Sequence, residues 1–244
     1  MSQPTSLFQR EDWEVIPDFW LIPGFFAEAG QDELVKTIPS RRSPLWTVPT
    51  MPGGIPFSIK TACFGWNWSM NGYTPAATPL PALLSEAAQL VWEYVGGKNP
   101  NRTYPPFHPQ TAIFGWYSPE SKLGNHIDHQ EDPVLLLQGS PIVTIALGST
   151  CVFQVRDQAP AEGKPGKLHS FRMHHGDAVV MFGAARLAEH GVREILPGTS
   201  PHPLINGRVS ITIRQVKPLT APQTDPERLA ALGSEKHPTQ GGPL

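Results

Sequence analysis

The sequence is short of cysteine, of charge and of long apolar runs, and each shortage excludes a class of protein. Two cysteines in 244 residues, Cys63 and Cys151, cannot build a disulfide framework. They read first as small buried hydrophobes, which suits a reducing compartment and a cytoplasmic location. Charged residues make up 16% of the chain, against about a quarter in a typical globular protein, and leave a formal net charge of -2. No overall basic excess therefore advertises nonspecific binding to nucleic acid. No apolar run approaches the ~20 residues that cross a bilayer, and the opening MSQPTSLFQREDWEV lacks the apolar centre of a signal peptide. A soluble monomer with no membrane partner is expected.

What the chain does have is turn chemistry. Its 28 prolines and 22 glycines suit turns and strand edges better than long helices. The segments TAIFGWY, PIVTIALG, CVFQV, DAVVMF and RVSITIRQV are β-rich, and they follow one good helical pattern. That order predicts a sandwich or barrel rather than a parallel α/β sheet. The helix is expected over residues 80–94, with Leu80, Leu83, Leu84, Ala87, Leu90, Val91 and Tyr94 on one face and Gly96 and Gly97 ending it. A shorter helix around residues 31–36 is expected to pack with the stretch 13–39 against the main core. Residues 46–75, crowded with glycine, proline and aromatics, read as a hairpin with extended edges. Near the end, Asp225 and Pro226 suit the start of a short helix stopping at Gly233, with a disordered tail beyond it.

The chemistry concentrates in NHIDHQEDP. His126 and Asp128 are two residues apart, a spacing that puts both side chains on one face of an extended strand. An imidazole and a carboxylate can then meet one metal, and a mononuclear non-haem iron site needs a second, distant histidine. His169, His174, His175, His190 and His202 are the candidates, and the sequence after His190 singles it out. Arg208 lies 18 residues beyond it and Arg214 six further, in RVSITIR. Even spacing aims both guanidiniums, with Ser210 and Thr212 between them, at one side of a strand. Buried there they require an anion, and a dicarboxylate such as 2-oxoglutarate matches the arginine fork. The alternative is an arginine pair on a solvated face, with Val209, Ile211 and Ile213 towards the core.

Taken in order, YSPESKLGNHIDHQEDP, PIVTIALGSTCVFQV, HHGDAVVMFGAARLAEHGV and NGRVSITIRQ resemble the AlkB family of iron(II)/2-oxoglutarate dioxygenases, over roughly residues 46–217. The resemblance implies a mainly β (α+β) fold, with a double-stranded β-helix (jelly-roll) core, N-terminal helices and a nucleotide-recognition lid. A single domain over 1–218 would hold the lid at 46–78 and the core at 108–217, with 219–244 as an extension. Iron(II), 2-oxoglutarate and O2 are the implied cofactor and co-substrates. The implied reaction is oxidative demethylation of N-alkylated bases in single- or double-stranded DNA, or in RNA, with release of formaldehyde, succinate and CO2.

Residue by residue, the resemblance makes His126, Asp128 and His190 the iron ligands. Tyr117, Arg208, Ser210 and Arg214 fall to the co-substrate, and Trp66, Tyr73 and Gln130 to the substrate. Gly115 and Ser210 stand where the bacterial prototype has asparagines, and Gln130 where it has a carboxylate near the base. The loop between Phe153 and His175 is longer, and Lys164 and Lys167 within it receive no role. Two other functions remain open on the sequence: a dioxygenase of the same mechanism acting on protein or a small molecule, and a noncatalytic jelly-roll binding module. Loss of a ligand or an arginine would mark the module, and none is lost.

Overall fold

The computed structural model describes residues 10–51, 53–157 and 165–219, so the helix and tail expected near the end lie outside the described residues. Alternation along a strand gives each long strand two faces, and here the two faces feed separate apolar layers. The strands are β1 (Trp13–Ile16), β2 (Phe19–Ile22), β3 (Ile59–Phe64), β4 (Trp66–Ser69), β5 (Gly72–Pro75), β6 (Thr111–Tyr117), β7 (Leu123–His126), β8 (Ile142–Gly148), β9 (Cys151–Arg156), β10 (Leu168–Met173), β11 (Ala178–Met181), β12 (His190–Ile195) and β13 (Arg208–Arg214). The helices are α1 (Glu28–Lys36), α2 (Ala82–Lys98) and the single-turn α3 (Pro133–Leu137).

A seven-stranded sheet runs β1-β2-β11-β8-β13-β6-β3 and a four-stranded one β10-β9-β12-β7, while β4 and β5 form a separate hairpin. The pairings are antiparallel throughout. One apolar layer lies between the large sheet and the helices, where Val209, Ile211 and Ile213 meet Leu84, Ala88 and Val91. The other lies between the two sheets, where Ala146 and Met181 meet Phe153, Val155 and Met173. This is the expected jelly-roll, and the five β-rich segments fall on β6, β8, β9, β11 and β13.

Three local expectations are corrected. Helix α2 continues through Gly96 and Gly97 to Lys98, and its buried side chains are Leu84, Ala87, Ala88, Val91, Trp92 and Val95. Leu90 and Tyr94 are exposed instead, because burying Trp92 and Val95 turns the helix away from them. Residues 59–64, inside the stretch read as lid, form the edge strand of the large sheet on β6. The long loop after Phe153 contains β10, paired residue for residue with β9. No described helix is long and apolar enough to cross a membrane.

The entry into β13 depends on glycine. Gly207 has φ +105°, and a Cβ there would strike the Tyr117 carbonyl; Gly148, at φ +81°, would meet the Gly207 carbonyl at 2.5 Å. These turns let Arg208 pair with Tyr117 on one side and Gly148 on the other. Gly207→Ala is expected to cost at least about 2 kcal/mol, from the left-handed backbone and the collision together. Urea denaturation of the two proteins measures it, and an unchanged midpoint would contradict the packing described.

Candidate metal centre and co-substrate cavity

Strand β7 ends at His126 and β12 begins at His190, and these two residues are register partners across the small sheet. Their rings lie 4.5 Å apart, centroid to centroid. Each Nδ1 sits against a backbone carbonyl two residues upstream, Gly124 O at 2.9 Å and Ala188 O at 3.0 Å. A carbonyl only accepts, so in the neutral ring each Nδ1 donates and each Nε2 keeps its lone pair free. Those Nε2 atoms lie 3.6 and 3.7 Å from the two carboxylate oxygens of Asp128. One ligand atom from each residue lies within 4.8 Å of the others, and among the described residues this is the only such group of three.

The electrostatics suit a cation. Burial pushes the His190 imidazole down to about 4, so it is neutral near pH 7, as a metal ligand must be. Burial alone would raise the Asp128 carboxyl, but the Arg214 guanidinium, with His190, His126 and Arg186, holds it well below the usual carboxylate range. Two imidazole nitrogens and one ionised carboxylate oxygen, with an open cavity before them, form the donor set that a non-haem iron(II) site uses.

Behind Asp128 lies a buried charge network. Arg214 donates from Nη2 to Asp128 Oδ2 at 2.7 Å and from Nη1 to Glu131 Oε1 at 2.7 Å. Arg186 pairs with Glu131 Oε2 at 2.8 Å and donates to the Asp128 backbone carbonyl at 2.7 Å. Glu131, Arg186 and Arg214 are each buried. Arg214 therefore already has two carboxylates, where the sequence pointed to a co-substrate contact. Arg208 is the opposite case. It is 1% exposed, and its contacts are two backbone carbonyls at 3.3 and 3.4 Å and the Met173 sulfur at 3.1 Å. No carboxylate meets it among the described residues.

Arg208 and the three candidate ligands line one cavity of about 740 Å³. Tyr117 and Ser210 line it too, and burial pushes the Tyr117 phenol up to about 12, which keeps it a hydrogen-bond donor. Gln130 is tethered by its Nε2 to the Met70 carbonyl at 2.7 Å, leaving its buried Oε1 without a partner. Trp66 and Tyr73 are not among the lining residues: Lys217 lies over the Trp66 ring, and the Tyr73 hydroxyl donates to Glu131 at 3.3 Å. Trp68 lines the cavity in their place, edge-on to Phe57 at 6.4 Å. Trp66 and Trp68 have the same strand parity, so alternation could not separate them.

The other histidines weighed as the third ligand lie elsewhere. His169 pairs with Asp157, His174 with Thr150, His175 accepts from the Gly148 amide, and His202 faces Asp32. Glu131 and Arg186 escaped the sequence reading, although two inward arginines imply more buried carboxylate than Asp128 alone.

Comparison with known proteins agrees with this geometry. The sequence pattern of the 2OG-Fe(II) oxygenase superfamily matches residues 18–214, and the chain belongs to that superfamily. The tRNA demethylase abh1 of Schizosaccharomyces pombe is 33% identical over 120 residues, which is 45% of this chain and 37% of that protein. An alpha-ketoglutarate-dependent dioxygenase AlkB homolog of Caulobacter vibrioides is 28% identical over 219 residues, covering 83% of this chain and 90% of the relative. The chain thus spans little more than a third of the first relative and nine-tenths of the second. The solved structure of OsALKBH1 superposes with a TM-score of 0.69 at 25% identity, over 84% of this chain and all of that one.

Glu131→Gln removes one charge from between two buried guanidiniums. The expected cost is about 3–5 kcal/mol of stability. Freed of its brace, Asp128 should also bind metal roughly 10–100-fold more weakly. Denaturant unfolding and an anaerobic iron(II) titration read the two effects, and an unchanged metal affinity would separate Glu131 from the centre.

Proposed function

We propose that the protein is an iron(II)- and 2-oxoglutarate-dependent dioxygenase that removes N-alkyl groups from the bases of nucleic acid, with DNA as the first substrate and RNA as the alternative. One observation carries the reading: a single cavity holds a two-histidine, one-carboxylate donor set together with a buried guanidinium, Arg208, that lacks a carboxylate partner among the described residues. A dicarboxylate that chelates a metal at one end and presents a second carboxylate at the other satisfies both. The nucleic-acid substrate rests on the AlkB resemblance and on a relative that is itself a tRNA demethylase.

In this reading His126, Asp128 and His190 hold iron(II), and Arg208 takes the far carboxylate of 2-oxoglutarate, with the Tyr117 and Ser210 hydroxyls beside it. Arg214 and Arg186 keep Asp128 ionised and fix its direction. When bound, iron with 2-oxoglutarate and O2 would supply the oxidising power: 2-oxoglutarate would leave as succinate and CO2, one oxygen atom would enter a C–H bond of the N-alkyl group, and the resulting hemiaminal would release formaldehyde. The protein's own work is to position and to exclude water. A base flipped out of its strand would enter beside Trp68 and Phe57, where stacking contributes about 1–3 kcal/mol. The unpartnered Gln130 Oε1 can accept from an exocyclic amino group of that base.

The test is release of succinate and formaldehyde by anaerobically iron-loaded protein given 2-oxoglutarate, O2 and single-stranded DNA carrying 1-methyladenine or 3-methylcytosine. Both products should appear in step. Succinate without formaldehyde would retain the dioxygenase and reject the substrate, and neither product would reject both. His126→Ala and Asp128→Ala should abolish turnover. Arg208→Ala should raise the KM for 2-oxoglutarate by about tenfold or more, as expected for removal of a buried charge-assisted hydrogen bond, with iron affinity kept. Trp68→Ala should raise the KM for the methylated strand more than Trp66→Ala does; the reverse order would return the substrate contact to Trp66.

A further inference from the structure

A second cavity, of about 400 Å³, lies on the opposite face of the β3–β6 edge. Lys60 on β3 and Trp116 on β6 are register partners there, one residue out of step with the partners Thr61 and Gly115 that line the metal cavity. The Arg41 guanidinium lies over the Trp116 ring, 5.2 Å from its centroid. Trp46 meets Trp116 edge-on at 5.9 Å, and its indole Nε1 donates to the Pro39 and Ser40 carbonyls, which fixes the ring. The one acid beside the cavity in sequence, Glu120, already accepts from Ser118 Oγ at 2.9 Å. Arg41 and Lys60 have no ion-pair partner among the described residues.

The two cavities meet at Ser58, which lines both. Ser58 Oγ donates to the Lys122 carbonyl at 2.8 Å and accepts from the Lys122 amide at 3.0 Å. Lys122 lines the metal cavity and also lacks an ion-pair partner among the described residues. Three uncompensated cations therefore follow a continuous rim from the smaller cavity to the larger, in a chain whose net charge is -2. A local basic path beside two partly buried indoles that line the cavity fits a strand of phosphates and bases, where a single small anion would use the cations alone.

We infer that the smaller cavity is a second subsite for the same nucleic-acid strand, an inference that rests on the proposed function. The nucleotide next to the one entering the metal cavity lays its phosphate against Arg41 and Lys60 and its base against Trp46 and Trp116. The strand crosses the beginning of β3 at Ser58, with Lys122 meeting the phosphate between the two nucleotides.

Fluorescence anisotropy of the protein tests this, comparing the single nucleotide 3-methyl-2′-deoxycytidine 5′-monophosphate with a nonadeoxynucleotide that carries one 3-methylcytosine at its centre. Wild type should bind the nonamer at least about tenfold more tightly than the mononucleotide, and the double variant R41E/K60E should lose most of that gain. The slope of log affinity against log salt for the nonamer should fall by about 0.7 for each phosphate that the variant no longer neutralises. Trp46→Ala, which removes a ring and no charge, should reduce the length gain and leave the salt slope unchanged. Thermal melts of each variant confirm folding. A length gain and salt slope that survive R41E/K60E would overturn the subsite, as would a wild type that demethylates the mononucleotide but binds the nonamer no more tightly. Wild type that neither binds nor demethylates either of these ligands would remove the nucleic-acid reading itself, and the subsite with it.

Discussion

The inner face of β13 carries two guanidiniums into the protein interior, and the centre is arranged around neutralising them. A buried cation without a counterion is costly, so each position needs an anion. Arg214 is neutralised internally, by Asp128 and Glu131, and Glu131 is shared with Arg186. Arg208, six residues away, is given only carbonyls and a thioether. The same residue type on the same strand face thus has two solutions. One fixes the direction of Asp128, the carboxylate of the candidate metal centre, and the other leaves room for an anion supplied from outside. Exchanging the two environments would leave Asp128 unbraced and the cavity without an anion site.

The sandwich makes this division possible because its two sheets supply different chemistry to the space between them. The small sheet brings the imidazoles, through the pairing of β7 with β12 that sets His126 opposite His190. The large sheet brings the arginines and the hydroxyls of Tyr117, Ser210 and Thr212. Strand register is what holds the division. A slip of one residue in β13 would turn Val209, Ile211 and Ile213 into the cavity and drive both arginines into the apolar layer beneath the helices. Both outcomes are strongly unfavourable, and the glycine turns at 148 and 207 start the strand in the only phase that avoids them.

Much of this was legible in the sequence because it follows from alternation. The parity of RVSITIR separates the cavity face from the core face, and the structure puts Val209, Ile211 and Ile213 fully in the core. Five strands could be read from their β-rich composition between turns. What alternation cannot supply is depth along an element or identity across a gap. Trp66 and Trp68 share a parity, yet only Trp68 lines the cavity, because Trp66 lies at the open end of the hairpin, against Lys217. Helical periodicity located α2 and the burial of Leu84, Ala87 and Val91, but it also turned Leu90 and Tyr94 inward, since they match the apolar spacing as well as Trp92 and Val95 do. Glu131 was missed because its burial depends on Arg186, which lies 55 residues away in a segment with no local sign of it.

The departures from the family pattern obey the same pairing logic. Gly115 and Ser210 are register partners on β6 and β13, facing the cavity together. A Cβ at position 115 would come within 2.8 Å of Ser210 Oγ and 3.1 Å of the Tyr117 ring. Position 115 is therefore constrained by the hydroxyls around it: with Ser210 and Tyr117 placed as they are, any side chain there must displace one of them. The serine in turn stands beside the Tyr117 phenol, which is the group nearest in register to Arg208. Two substitutions that look independent along the chain are thus one local solution, in which a small residue at 115 gives a serine and a tyrosine room to stand side by side next to an uncompensated cation.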